Sequence, residues 1–260
     1  MSTHRRYVVT GAASGIGASV AELLRSQGHE VIGIDLKDGD LTGDLGDATA
    51  RRALVTTVSD RCRWIDGLIT CAGVRAAGPA TVSVNFFGTV ELAEGLRPLL
   101  AGSDAPRVVA TSSLASVLPW DDEIVEACLA GDEPRAREAV ERSAPDDTGR
   151  PRIYSSSKTA VSRWVRRVAT APEWAGAGIL LNAVAPGSTA TPMMADVLAS
   201  QEAQRQWLEF LPNSQDRFPE PIEVARVMTW LASAENSLLV GQTVFADLGT
   251  EPTLRGDATW

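Results

Sequence analysis

Tyr7-Val8-Val9-Thr10-Gly11-Ala12-Ala13-Ser14-Gly15-Ile16-Gly17 is the stretch on which the fold turns. Strand-forming residues run straight into a glycine-rich turn. A helical pattern follows over Gly15–Gln27, with Val20, Leu23 and Leu24 facing inward and Gly28 as its stop. That context turns a weak glycine motif into a useful one. Gly11, Gly15 and Gly17 permit tight turning and close backbone approach, and the free N–H groups and dipole of a helix start can hold a pyrophosphate. The spacing is G-x3-G-x-G rather than G-x-G-x-x-G. Read alone, it also suits a strand-to-helix turn that binds nothing.

Strand and helix patterns continue to alternate outward from this turn, as a doubly wound parallel sheet requires. Strands are expected at Glu30–Asp35, Gly67–Thr70, Arg107–Thr111, Ile179–Val184 and Gln242–Asp247. Helices are expected over Ala48–Arg61, Val82–Leu100, Ile153–Thr170, Asp196–Leu208 and Pro221–Ala234, the last with proline in its first turn. Residues 114–151 break the rhythm with two charged helical runs, separated at Gly131, and a loop at Asp146–Pro151. The tail from Gly249 carries little pattern. The sequence reads as one α/β domain over residues 1–260 with an insertion.

Composition narrows the function. The 260 residues carry a formal net charge of -9 and a pI of about 4.8, which disfavours a nucleic-acid partner. No apolar run approaches a membrane span. The N-terminus runs into a strand without a signal-peptide core, so the expected location is cytoplasmic. Cys62, Cys71 and Cys128 show no metal spacing and read as reduced thiols. His4 and His29, the two histidines, lie in no motif, which argues against Ser-His hydrolases and histidine metal sites. No metal is expected.

Tyr154 and Lys158 carry the chemistry. Four residues apart on a helix, they share a face. An ammonium beside a phenol favours the phenolate and is expected to lower the tyrosine's pKa, making it usable as an acid/base. Asp35 ends the second strand, where a carboxylate accepts hydrogen bonds from both adenosine ribose hydroxyls and repels a 2′-phosphate. NAD is therefore favoured over NADP, although Lys37 nearby pulls the other way.

These residues resemble those of the short-chain dehydrogenase/reductase family over nearly the whole chain. Thr10–Gly17, Asp44-Leu45, Cys71-Ala72-Gly73, Asn85, Ser112-Ser113, Tyr154-x3-Lys158 and Pro186-Gly187-x3-Thr191 match its motifs in order. The resemblance implies a Rossmann fold with a helical insertion before the catalytic tyrosine helix, and a homodimer or homotetramer. It implies that Tyr154 exchanges a proton with the substrate oxygen, that Lys158 lowers its pKa and holds the nicotinamide ribose, and that Asn85 supports a water relay. Ser113 polarises the carbonyl; Ser112 is its rival, and register with the family favours Ser113. The cofactor NAD would lie against Gly11, Ser14, Gly15, Ile16, Gly17, Asp35, Asp44, Leu45, Ala72, Gly73, Tyr154, Lys158, Pro186, Gly187, Thr189 and Thr191.

Departures sharpen the resemblance. Cys71 stands where the family usually has asparagine. Only eleven residues separate Gly73 from Asn85, so the intervening helix should be shortened. Ser113 and Tyr154 lie 41 positions apart, a long gap for the family. Together these resemble a bacterial subgroup typified by 3α-hydroxysteroid dehydrogenase/carbonyl reductase, with bacterial coniferyl alcohol dehydrogenases as relatives. The insertion is expected to wall the substrate pocket through Leu118, Pro119 and Trp120, to block a subunit-pairing helix, or both. Its acidic residues Asp121, Asp122, Glu123 and Glu126 are read as solvated. Residues 190–215 fall where the family has its substrate lid, and Met193, Met194, Leu198, Trp207 and Phe210 would suit an apolar substrate. The expected activity is interconversion of a secondary alcohol and ketone, on a hydroxysteroid or another bulky alicyclic or aromatic substrate. A primary aryl alcohol dehydrogenase is the alternative. A nucleotide sensor without turnover is the reading from another class; such a protein would be expected to lose the serine, tyrosine or lysine.

Overall fold

In the computed structural model, which describes residues 4–143 and 152–257, β1 (Arg6–Thr10) lies between two parallel neighbours, only one of which follows it directly in sequence. One is β2 (Glu30–Asp35), reached through α1 (Gly15–Ser26). The other is β4 (Gly67–Thr70). The full order is β3-β2-β1-β4-β5-β6-β7, all parallel, with β3 (Leu41–Thr42), β5 (Arg107–Thr111), β6 (Leu180–Pro186) and β7 (Thr243–Ala246). The chain thus reverses direction across the sheet between β1 and β4. In such sheets ligands bind outside the carboxyl ends of the strands at that reversal.

Both faces of the sheet are buried, so its strands read as nearly continuous apolar runs. Val8, Leu68, Val108 and Leu181 point to one side. There they meet α2 (Ala48–Arg61), α4 (Thr89–Leu100) and α7 (Ile153–Val168). Tyr7, Val9, Ile69 and Val109 point to the other side, against Val20 and Leu24 of α1 and Val224, Met228 and Leu231 of α10 (Pro221–Leu231). In α1 it is Ala21 that is fully buried with Val20 and Leu24, while Leu23 lies at the margin.

The shortened helix before Asn85 is present: α3 is the single turn Ala80–Val82. It runs through a π-helical stretch, Ser83–Gly88, into α4. Of the insertion, α5 (Asp122–Leu129) and α6 (Glu133–Arg142) are described, whereas the expected loop at Asp146–Pro151 lies outside the described residues. Ile124, Val125, Ala127 and Cys128 of α5 are buried in the cluster that contains Val161, Trp164 and Val165 of α7. Asp122, Glu123 and Glu126 face solvent, and Asp121 is half-exposed. It caps α5 by accepting from the Glu123 and Ile124 N–H groups, and it also accepts from Ser143 Oγ.

Where one helix was expected over Asp196–Leu208 there are two, α8 (Ala195–Leu198) and α9 (Gln201–Phe210). Ser200 adopts an extended conformation and accepts from Ala203 N at 3.1 Å, which starts a new helix. The tail holds α11 (Thr250–Arg255), whose Glu251 N donates to Asp247 Oδ2 at 2.7 Å. Among the described residues, no helix is long and apolar enough to cross a membrane.

Arg51 fastens the insertion to the frame. Its side chain is fully buried and spans Glu91 of α4, Glu133 of α6 and the Leu45 carbonyl (2.9 Å). Removing one partner of such a cluster leaves charge without compensation. Arg51→Met is therefore expected to cost about 3 kcal/mol of unfolding free energy, read as a lower urea midpoint with an unchanged slope. Loss below about 0.5 kcal/mol would show that the carboxylates are adequately solvated without it.

Candidate active site

The ends of β1 and β4 form a cradle from which side chains are excluded. Thr10 Oγ1 accepts from Ala72 N at 3.1 Å, closing the gap between the two strands. Gly11 has a φ of +68°, and a Cβ there would fall 2.7 Å from Ala72 N. A Cβ on Gly17 would fall 2.1 Å from the Gly11 carbonyl oxygen. Neither position can hold another residue without backbone movement. Ser14 is the N-cap of α1, yet its side chain makes no capping bond and no acidic residue lies in the first turn. Ile16 follows in that turn. The first N–H groups of a helix lack intrahelical partners and favour an anion.

Asp35 turns its carboxylate toward this turn, accepting from Ala13 N at 3.0 Å. Beyond it, Asp44 is exposed and accepts from Gly46 N at 2.7 Å, while Leu45 is buried beside it. On the far side, Pro186 ends β6, and a Cβ on Gly187 would meet Asp247 Cα at 2.8 Å. Thr189 is buried and donates to the Gly187 carbonyl at 3.0 Å. The Thr191 methyl would lie 3.2 Å from a Cβ on Gly15, so the start of the lid leans over the turn. A glycine cradle, a helix start and a carboxylate at the end of β2 fit a dinucleotide.

Next to the cradle lie the four chemical residues. Ser113 Oγ acts on the Tyr154 hydroxyl, favouring its phenolate, and accepts from Ala115 N at 3.1 Å. Ser112 is engaged elsewhere: its hydroxyl donates to the Lys158 carbonyl (3.2 Å) and pairs with the Ser162 hydroxyl (2.6 Å). Lys158 is buried, with Nζ 5.9 Å from the Tyr154 ring centroid, and it donates to the Thr111 carbonyl at 2.8 Å. Asn85 is fully buried; its Oδ1 accepts from Val74 N (2.8 Å) and its Nδ2 donates to the Val74 carbonyl (3.0 Å) and Ser157 Oγ (3.0 Å). Both amide hydrogens are used, so the side chain holds the Gly73 loop and α7 in register and does not itself carry a proton.

The electrostatics differ from the simple phenol–ammonium picture. Burial raises the Tyr154 pKa above its ordinary value; Ser113 and the Arg75 charge oppose it without overcoming it. Lys158 is not among those causes. Its ammonium, 5.9 Å from the ring centroid, is itself lowered to about 8 by burial, with Cys71 opposing. Burial likewise pushes the Cys71 thiol up to about 12, against the Thr111 hydroxyl and Lys158. In a desolvated site the neutral form of each group gains, and sequence spacing carries no measure of that burial.

Trp120 requires correction. Its ring lies under Arg163 (5.3 Å) and its Nε1 donates to Asp122 at 2.9 Å. Arg163 is nine residues beyond Tyr154, half a turn out of phase and so on the opposite face of α7. Ser155 Oγ, which donates to the Pro119 carbonyl (2.6 Å), and Ser156 Oγ, which accepts from Asp121 N (2.9 Å), draw residues 119–121 down that face. In the lid, Met194 is buried, Met193 is exposed, and Trp207 is half-buried with Nε1 donating to Ser188 Oγ at 2.7 Å. Sequence motifs missed Arg75, in the loop after β4, which reaches both lid helices through Asp196 and Trp207. Its only sequence signal is a lone cation two residues past Gly73.

This arrangement is that of an oxidoreductase, and the relatives agree. A family profile described as short chain dehydrogenase matches residues 5–125, and one described as Enoyl-(Acyl carrier protein) reductase matches residues 140–251. The 3-alpha-hydroxysteroid dehydrogenase/carbonyl reductase of Comamonas testosteroni is 35% identical over 95% of this chain and 97% of its own length. Galactitol 2-dehydrogenase (L-tagatose-forming) of Cereibacter sphaeroides is 29% identical over 93% of this chain and 92% of its own. A crystal structure of the 3-alpha-hydroxysteroid dehydrogenase from Pseudomonas sp. B-0831 complexed with NADH superposes with a TM-score of 0.88 at 38% identity, covering 97% of this chain and 99% of that one. The chain belongs to the short-chain dehydrogenase family.

Proposed function

We propose that this enzyme uses NAD(H) to interconvert a secondary alcohol and a ketone, with a 3-hydroxysteroid or similarly bulky alicyclic alcohol as substrate. The observation that carries the chemistry is the pairing of Tyr154 with buried Lys158, whose Nζ lies 5.9 Å from the tyrosine ring centroid, with Ser113 acting on the Tyr154 hydroxyl at the edge of a glycine cradle. The substrate class rests on likeness to the Comamonas and Pseudomonas enzymes. When bound, the nicotinamide ring supplies or accepts the hydride.

The chain's own residues do the rest. The first turn of α1 holds the pyrophosphate, and Gly11 and Gly17 let it approach. Asp35 receives the adenosine ribose hydroxyls and disfavours a 2′-phosphate. Asp44 and Leu45 flank the adenine, and Pro186, Gly187, Thr189 and Thr191 hold the carboxamide side. In the reductive direction, Ser113 donates a hydrogen bond to the carbonyl oxygen, and Tyr154 delivers the proton as the alcohol forms. A phenol raised by burial is in the correct state for that step at neutral pH; oxidation runs the same transfer in reverse and gains from higher pH. Lys158 holds the nicotinamide ribose and restores the proton, with Asn85 keeping its surroundings in place.

As to assembly, α5 already packs on α7. A homodimer or homotetramer of this chain would therefore pair through surfaces other than that face.

NADH formation from a 3α-hydroxysteroid tests the reading. Turnover should be higher with NAD than with NADP. Asp35→Ala should raise the KM for NAD about tenfold or more, the cost of losing hydrogen bonds to a charged acceptor. An unaltered preference in that variant would contradict the role given to Asp35. Absence of turnover on any steroid, with turnover on aryl alcohols, would move the substrate class and leave the chemistry intact.

A further inference from the structure

The insertion reaches the adenosine end of the cradle through one buried side chain. Arg51 of α2 is fully enclosed. Its Nε and Nη2 donate to the two carboxylate oxygens of Glu91 in α4, at 2.8 and 3.0 Å. That bidentate pair already neutralises the guanidinium. The remaining hydrogens go elsewhere. Nη1 donates to the Leu45 carbonyl at 2.9 Å and to Glu133 Oε1 at 3.4 Å, and Nη2 also donates to Glu133 Oε2. Glu133 opens α6 and so belongs to the insertion. Leu45 belongs to a tight turn: Gly46 N donates to the Asp44 carboxylate at 2.7 Å, and Asp47 N donates to the Asp44 carbonyl at 3.0 Å.

The same helix grips the far side of that turn. Arg137 Nη1 donates to Ser83 Oγ at 2.8 Å. Ser83 begins the π-helical stretch that ends at Gly88. A Cβ on Gly88 would fall 3.0 Å from Leu45 Cβ, and a Cβ on Gly46 would fall 3.6 Å from Val84 Cγ2. The stretch therefore abuts Leu45 and Gly46 while Arg51 holds the Leu45 carbonyl. Buried Ala136, Ala139 and Val140 seat α6 between these contacts.

We infer that α6 of the insertion sets the adenosine end of the cofactor site: Glu133 and Arg137 are positioning residues that hold Asp44 and Leu45 through Arg51 and Ser83. This rests on the NAD(H) reading above. Both residues act through another side chain, and neither is catalytic. Support of this kind decides how closely a binding group keeps its place. Without Glu133 the guanidinium stays paired with Glu91, so the buried charge remains compensated. Two of its N–H groups lose an acceptor, and reorientation to satisfy them draws it off the Leu45 carbonyl.

The test separates the two halves of the cofactor. Titration calorimetry would measure binding of NADH, of ADP-ribose, and of reduced nicotinamide mononucleotide, which lacks the adenosine. Glu133→Ala should weaken NADH and ADP-ribose together by about fivefold or more, the scale of one member lost from a coupled network, and should leave the mononucleotide within about twofold. Arg137→Met leaves the Arg51 ion pairs untouched and should act in the same direction through Ser83. In the cofactor-free protein, Glu133→Ala should quicken deuterium exchange at the Gly46 and Asp47 amides and leave β4 unchanged, because the opening is local. A residue serving global stability alone would quicken β4 as well and leave the ratio of NADH to mononucleotide affinity unaltered. Equal losses for NADH and the mononucleotide, undiminished NADH affinity in both variants, or unchanged exchange at Gly46 and Asp47 would each overturn this inference alone. Absence of NADH binding by the unmodified protein would overturn the NAD(H) reading and this inference with it.

Discussion

Tyr154→Phe is expected to lower kcat for 3α-hydroxysteroid oxidation by about 10²–10⁴-fold, the usual contribution of a placed acid/base. The KM for NAD should change little. The phenyl ring keeps the contact with Lys158, and one hydroxyl is lost beside Ser113. Fold and cofactor cradle should therefore survive, which the thermal transition and NADH fluorescence would check. The partition between constants is diagnostic. Loss in kcat and kcat/KM together marks an interaction made in the transition state, whereas a rise in KM alone marks uniform binding. Activity within about twofold of the unmodified enzyme would remove Tyr154 from the mechanism and leave a dinucleotide-binding fold without its proton donor.

Much of this was readable because the deciding features are local. Gly11 and Gly17 are required by contacts with Ala72 and with each other, within a turn whose flanking strand and helix are both plain in sequence. Tyr154 and Lys158 share a helix face, so four-residue spacing suffices to pair them. The strand β3 was missed because Leu41–Thr42 is two residues long and exists through its pairing with Ile34 and Asp35. The tail helix α11 is held by Asp247, whose carboxylate acts from the end of a strand.

Trp120 misled for a different reason. It is close to the site along the chain, but hydrogen bonds with Ser155 and Ser156 carry its segment behind α7. Arg75 was missed because Asp196 and Trp207 lie more than a hundred residues away. Burial was equally invisible: the sequence pairs an ammonium with a phenol, and the fold removes both from water.

That removal gives Lys158 an unusual expected result. Lys158→Met should abolish most turnover, about 10²-fold or more, and should stabilise the cofactor-free protein near neutral pH. The ammonium titrates at about 8 in the folded chain, against an ordinary value of 10.5. Between those values the unfolded chain holds more protons than the folded one, so stability rises with pH across that window. Below about 8 both states are protonated, and the burial penalty is present in full, on the order of 3 kcal/mol. Methionine removes the charge and fits the same space, but it leaves the Thr111 carbonyl without its donor, which costs about 1 kcal/mol. The variant should therefore be more resistant to urea at pH 7, by about 1–2 kcal/mol, and should lose that advantage by pH 10. A variant less stable at pH 7 by the same margin as at pH 10 would show that the lysine is adequately solvated in the folded chain. Its catalytic competence would then need no buried, poised ammonium. The opposite outcome would place Lys158 among residues kept for function at the expense of stability.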